Sequence, residues 1–235
     1  QLPATVVGLA DRLDSIVGLF SVGLAPTANK DPFALRRAAL GLNQILIELN
    51  IDFNLKEALQ ITRQAQSIPV SDETLQDALE FIQGRLHGVL IDKGYRYDAV
   101  EAVESVLGNN PAKANSHTAL LDSWIQKTDW ETILPAYSRC ARITRNVDEI
   151  FSVNPKNLID ASEKQLYEQL NSLQTSDFEE ALNAVASLVP AINSFFDNVL
   201  VMTDDLQVRQ NRLGLLQDVV ALLSPYADLS KLEGF

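Results

Sequence analysis

Three arginines spaced three residues apart are the strongest candidates for chemistry in this chain. Arg139, Arg142 and Arg145 lie in the segment 132–147, which contains no acidic residue. On a helix, this spacing places the guanidinium groups along one side, where they can contact successive phosphates of a nucleic acid. Tyr137, two residues before the first arginine, can stack on an unpaired base. The segment therefore predicts an RNA contact; the alternative is a solvated stripe that pairs with acidic neighbours.

The net charge restricts such a contact to a small area. The 235 residues include 19 basic and 31 acidic side chains, which gives a formal charge of −12 at pH 7. The chain as a whole repels polyanions, which counts against non-specific nucleic-acid binding over a broad basic surface. Any contact with RNA is therefore expected to involve a few residues in one small area.

Residues for catalysis or metal binding are scarce. The single cysteine excludes an internal disulfide and favours a reducing compartment. His87 and His117 lie thirty residues apart with no predicted partners. The sequence has no phosphate-binding glycine loop and no nucleophile elbow. We therefore expect no catalytic residue, metal site or cofactor in this chain, and no apolar run approaches the roughly 20 residues of a membrane span.

The apolar spacing predicts an all-α protein, because residues recur at intervals of three and four and no strand-like alternation is present. Asp31-Pro32 predicts a helix start, with an N-cap followed by proline at the first helical position. Asn109-Asn110-Pro111 predicts a domain boundary. The predicted helices cover residues 3–22, 31–49, 54–66, 71–93, 98–107, 114–126, 130–151, 162–173, 177–188, 190–201 and 205–224.

The segment 195–216, FFDNVLVMTDDLQVRQNRLGLL, carries the most specific pattern. It resembles the C-terminal anticodon-binding domain of the glycyl-tRNA synthetase beta subunit family, which is related to a domain of arginyl-tRNA synthetase. We expect a structural role for Arg212, by bonds to a carboxylate. Two roles remain open for Arg209: an intrahelical pair with Asp205, or a contact with tRNA. The residues that carry the pattern are Phe196, Asp197, Arg209, Asn211 and Arg212.

The first forty residues are similar to the segment in the same family that closes an HD-type helical domain. Asp31, Arg36 and Arg37 belong to this pattern, and the two arginines could contact RNA or a partner domain. The HD aspartate would be Asp11, but one carboxylate cannot hold a catalytic metal. An independent HD phosphohydrolase is therefore a weak rival hypothesis.

The resemblance implies a three-part fragment of a longer protein. Residues 1–68 would be the tail of the HD-type domain, 69–109 a helical connector, and 110–235 the anticodon-binding domain. It implies tRNA(Gly) as a partner, an alpha subunit that completes a heterotetramer, and ATP and Mg²⁺ used by the parent enzyme alone. A bacterial cytoplasm or an organelle would be the location.

A second hypothesis is a helical module that only joins subunits or domains, without direct contact to tRNA. The net charge favours this hypothesis, whereas the three arginines oppose it. Salt-sensitive tRNA binding would separate the two.

Overall fold

The computed structural model describes residues 2–235 and confirms the all-α prediction. Its helices are α1 (Leu2–Ser21), α2 (Leu35–Glu48), α3 (Leu55–Ala65), α4 (Asp72–Asp92), α5 (Tyr97–Leu107), α6 (Pro111–Ile125), α7 (Trp130–Thr144), α8 (Ala161–Ser172), α9 (Phe178–Asn198) and α10 (Leu206–Ala221). Two short 3-10 helices cover Pro155–Asn157 and Leu229–Lys231. Across these residues the structure contains no strand; Thr27 and Lys30 form an isolated bridge.

The chain divides into two compact units, residues 1–119 and 120–235, which we call unit 1 and unit 2. The predicted segments 1–68 and 69–109 both lie in unit 1, because α4 packs against α1, α2 and α3. The Asn109-Asn110-Pro111 sequence starts a helix, since the Asn110 side chain accepts a hydrogen bond from the Lys113 N–H at 3.1 Å. The border between the units falls inside α6, about ten residues after the predicted boundary.

Unit 1 is built on a continuous apolar core from its first four helices. Apolar side chains at helical spacing, such as Ile16, Leu42 and Ile82, are fully buried in it. The buried Asn43 amide donates to the Ile82 carbonyl at 2.9 Å, which ties α2 to α4. Burial of these side chains supplies most of the stabilisation of this unit.

Unit 2 is a bundle in which α7 packs on α9 and α10, and α8 packs on α9 and α10. Its core includes the fully buried Leu166, Leu188 and Phe195. Gly214 in α10 is required by packing, because a Cβ there would lie 2.6 Å from the Phe151 carbonyl oxygen. The segment that follows α7 therefore crosses α10 in close contact.

Three helix predictions need correction. The second helix begins at Leu35 and not at Asp31, because Ala34 adopts a left-handed conformation with φ 56° immediately before it. Pro190 does not divide two helices, since α9 continues through it with apolar residues buried on both sides. The helix predicted over 130–151 is shorter, because α7 begins at Trp130 and ends at Thr144, with Pro135 inside it.

Candidate nucleic-acid interface

Helix α7 separates an apolar face from a basic one. Trp130, Ile133, Leu134, Tyr137 and Cys140 are buried against the rest of unit 2. The side chains of the three arginines 139, 142 and 145 are exposed. The amphipathic pattern fixes this orientation, because turning the helix would remove these five side chains from the core. The arginines are therefore available to a ligand.

Arg139 lies over an aromatic ring supplied by α9. Its guanidinium carbon is 4.2 Å from the centroid of the Phe196 ring. Its Nη1 also donates to Oδ1 of Asn193 at 3.5 Å. Phe196 is half-buried and meets the buried Phe195 edge-on, with the ring centroids 5.4 Å apart. The guanidinium thus lies against an aromatic ring, in an arrangement that can stack with a base.

Arg142 and Arg145 share a second ring, near the end of the described chain. Their guanidinium carbons lie 5.5 Å and 5.9 Å from the centroid of the Phe235 ring. The Phe235 N–H donates to the Leu232 carbonyl at 3.2 Å, which helps to hold the backbone in place. We call the five side chains Arg139, Arg142, Arg145, Phe196 and Phe235 the arginine–aromatic face.

Tyr137 is not part of this face, and its prediction as a stacking ring is contradicted by its position. The side chain is only 3% exposed, and its hydroxyl donates to the Val220 carbonyl at 3.3 Å. Burial is the main reason why the pKa of Tyr137 is raised far above its usual value. The ring contributes to the packing of α7 on α10, and the rings that lie beside the three arginines are those of Phe196 and Phe235.

Arg209 is half-buried near the start of α10. Asp205 acts as the cap of this helix: its Oδ1 accepts from the N–H groups of Gln207 at 2.9 Å and Val208 at 3.2 Å. This carboxylate therefore serves the helix terminus. Whether Arg209 contacts tRNA stays a prediction.

Arg212 holds three segments of unit 2 together. Its Nε donates to Oε1 of Glu163 in α8, and its Nη1 donates to the Leu200 carbonyl at 2.8 Å. The side chain of Glu163 is 1% exposed and that of Arg212 is 12% exposed. Oε2 of Glu163 also accepts from the N–H groups of Ile159 at 2.6 Å and Asp160 at 3.1 Å. The pair is a structural element away from solvent.

Of the two other residues of the 195–216 pattern, Asn211 has a structural partner and Asp197 faces solvent. Asn211 is buried, and its Oδ1 accepts from the Asn154 N–H at 2.6 Å. This bond joins α10 to the segment after α7. Asp197, in the last turn of α9, is exposed.

The predicted residues of unit 1 have mainly local partners. Asp31 accepts from the N–H groups of Leu35 at 2.8 Å and Arg36 at 3.0 Å, so it caps α2 although it lies outside the helix. The Arg36 guanidinium donates to the carbonyls of Thr27 and Ala28. Arg37 is exposed. Arg36 therefore stabilises the loop before α2, whereas Arg37 lies at the surface.

His87 has a partner that sequence reasoning missed. Its Nδ1 lies 2.7 Å from Oε2 of Glu104, which joins α4 to α5, and Tyr97 meets the imidazole edge-on. Desolvation is the largest effect on Glu104 and raises its pKa. Nδ1 of His117 lies 2.7 Å from the Lys113 carbonyl. Among residues 2–235 no group of three or more His, Cys, Asp or Glu side chains could hold a metal ion.

None of the helices in the described part of the chain is long and apolar enough to cross a membrane.

Comparison with known families matches both units. The model of the DALR anticodon binding domain matches residues 133–229, which include most of α7 and all of α8 to α10. Unit 2 therefore carries a helical domain of the DALR class. The model described as the glycyl-tRNA synthetase beta subunit matches residues 1–105.

Curated relatives match almost the whole chain. It is 36% identical to the glycine–tRNA ligase beta subunit of Moorella thermoacetica over 99% of this chain. The corresponding proteins of Acinetobacter baylyi and Ralstonia nicotianae are 34% and 37% identical over 98% and 97% of the chain. The match covers 35%, 35% and 34% of these three proteins, so the chain spans about a third of their length. The chain belongs to the glycyl-tRNA synthetase beta subunit family.

Proposed function

We propose that unit 2 binds the anticodon loop of tRNA(Gly) through the arginine–aromatic face. The observation that carries the proposal is that three exposed arginines of the segment that matches the anticodon binding domain lie beside the rings of Phe196 and Phe235. Guanidinium groups neutralise phosphates, and aromatic rings accept unstacked bases. A local cationic surface of this kind fits an acidic chain, because it attracts one RNA segment while the remaining surface repels others.

The proposed role in the parent protein is tRNA selection for the attachment of glycine. An alpha subunit would complete the heterotetrameric enzyme and carry out the ATP- and Mg²⁺-dependent chemistry, in a bacterial cytoplasm or an organelle. Glycine codons begin with two guanines, so the anticodon of tRNA(Gly) contains two cytosines. Arginine can donate to cytosine O2 and N3, and carboxylates can accept from its amino group. This chain would read those bases.

The competing hypothesis is a helical module that joins subunits or domains without touching tRNA. The net charge of −12 favours this hypothesis, because most of the surface repels RNA. Anticodon binding predicts an affinity for tRNA that falls as the salt concentration rises, whereas a module that only joins subunits or domains predicts no tRNA binding.

Binding of the 235-residue chain to a tRNA(Gly) transcript tests the proposal, at about 50 and 200 mM salt. The comparison transcript has both anticodon cytosines replaced by uracil. Three phosphate contacts to a single-stranded loop give a slope of log K against log salt of about −2, or roughly a fifteenfold loss over this range. We expect this loss, and tighter binding of the native transcript.

Other outcomes have distinct meanings. Equal, salt-dependent binding of both transcripts would mean phosphate contact without base reading. No binding of either transcript would contradict the proposal and favour the module that only joins subunits or domains.

A further inference from the structure

A groove opens beside the arginine–aromatic face, between α7, α10 and the segment that follows α10. Its volume is about 540 Å³, and Arg145 and Phe235 lie on its edge. This volume falls in the range of pockets that hold small organic groups. Ala141, Val220 and Leu229 contribute apolar surface to its walls. A planar base can therefore enter it without displacing core side chains.

Two polar side chains of the groove, Gln217 and Asp228, serve the fold. The Gln217 amide accepts from the Phe151 N–H at 3.0 Å and donates to the Glu149 carbonyl at 2.8 Å. The Asp228 carboxylate accepts from the Ser230 N–H at 3.0 Å and caps a 3-10 helix. These groups have structural partners.

Asp218 differs from them. Within residues 2–235, its carboxylate has neither a hydrogen bond nor an ion pair, although it lines the groove. The side chain remains accessible to solvent, yet the surrounding atoms desolvate the carboxyl group enough to raise its pKa. Asp218 is therefore an acceptor that the fold leaves free for a ligand in the groove.

The chemistry of the groove selects among bases. A base that lies against Phe235 gains stacking contact, and Arg145 beside the same ring can hold the adjoining phosphate. A carboxylate accepts from the exocyclic amino group of cytosine, but it repels the O4 oxygen that uracil presents at the same position. The groove therefore favours cytosine over uracil.

We propose that this groove binds one unstacked anticodon cytosine and that Asp218 is the residue that distinguishes it from uracil. The inference rests on the proposed function, since it assigns one base of the same RNA to a particular pocket. It adds a specificity-determining residue that lies outside the arginine–aromatic face and outside the segment 195–216.

The test uses the full chain with Asp218→Asn and Asp218→Ala, and Asp204→Asn as the matched control. Asp204 is an exposed carboxylate of unit 2 outside the groove, so its replacement makes the same change of charge. Each variant is titrated with the native transcript and with two transcripts that carry uracil at one anticodon cytosine each. For each position, the readout is the affinity for the native transcript divided by the affinity for the transcript with uracil there. A general loss of repulsion changes both affinities equally and leaves this ratio unchanged.

We expect the unaltered chain and Asp204→Asn to prefer cytosine at both positions. Both Asp218 variants should lose about tenfold or more of this preference at one position, in line with the discrimination of a good base contact. Unchanged ratios at both positions in the Asp218 variants would overturn the assignment of the groove while leaving anticodon reading in place. A lack of preference in the unaltered chain would overturn anticodon reading as well.

Discussion

Replacing Glu163 by alanine is expected to lower the free energy of unfolding of unit 2 by about 3–5 kcal/mol. The substitution leaves the guanidinium of Arg212, 12% exposed, without its carboxylate partner. It also removes the acceptor for the N–H groups of Ile159 and Asp160 at the start of α8. A buried charge that loses its partner is more costly than the net value of the pair, because its desolvation is no longer compensated.

Urea unfolding followed by tryptophan fluorescence measures this effect. The chain contains two tryptophans, Trp124 and Trp130, and both belong to unit 2. The matched control is Glu168→Ala, which removes an exposed carboxylate from the same helix and should change stability by no more than about 0.5 kcal/mol. Equal losses in the two variants would show that the Glu163–Arg212 pair does not hold unit 2 together.

The triple variant Arg139→Ala/Arg142→Ala/Arg145→Ala is expected to weaken tRNA(Gly) binding by about a hundredfold at low salt, from roughly 1 kcal/mol for each charge-assisted contact. The slope of log K against log salt should also become less negative by about 2. Both effects arise because the variant removes the three cations that lie on Phe196 and Phe235. Filter binding at several salt concentrations gives both values.

The matched control changes the same number of charges in the same unit. Lys156→Ala/Lys164→Ala/Lys231→Ala removes three exposed cations that lie outside the arginine–aromatic face. We expect it to lower the affinity by less than about threefold, because only long-range attraction is lost and salt screens it. A comparable loss in the lysine variant would mean that charge alone, and not the position of the arginines, drives binding.

Local rules in the sequence predict the helices well but not all of their limits. The apolar spacing of 72–92 and 97–107 is sufficient to predict α4 and α5. Asp31-Pro32 misled the prediction because its carboxylate caps α2 from outside the helix, while the left-handed Ala34 delays the start. The two helices predicted over 177–188 and 190–201 are one helix, since burial of apolar residues on both sides of Pro190 keeps α9 continuous.

The candidate interface was only partly predictable for a related reason. The arginine spacing follows from local sequence, and the exposure of the three side chains agrees with it. Tyr137 looked equally available, but its burial depends on α10, which is distant in sequence. Phe235 lies about ninety residues from the arginines it contacts, so no local pattern could link them. Glu163 as the partner of Arg212 is another long-range contact of this kind.

Crosslinking of tRNA(Gly) to the chain tests the central claim most directly. A photoreactive base in the anticodon loop, followed by mass spectrometry of the crosslinked peptides, locates the RNA without depending on any substitution. We predict crosslinks to peptides from 136–146 and 217–235, which carry the arginines, Asp218 and Phe235. Crosslinks confined to unit 1 would contradict the account, because they would place the anticodon loop on the unit that lacks the arginine–aromatic face.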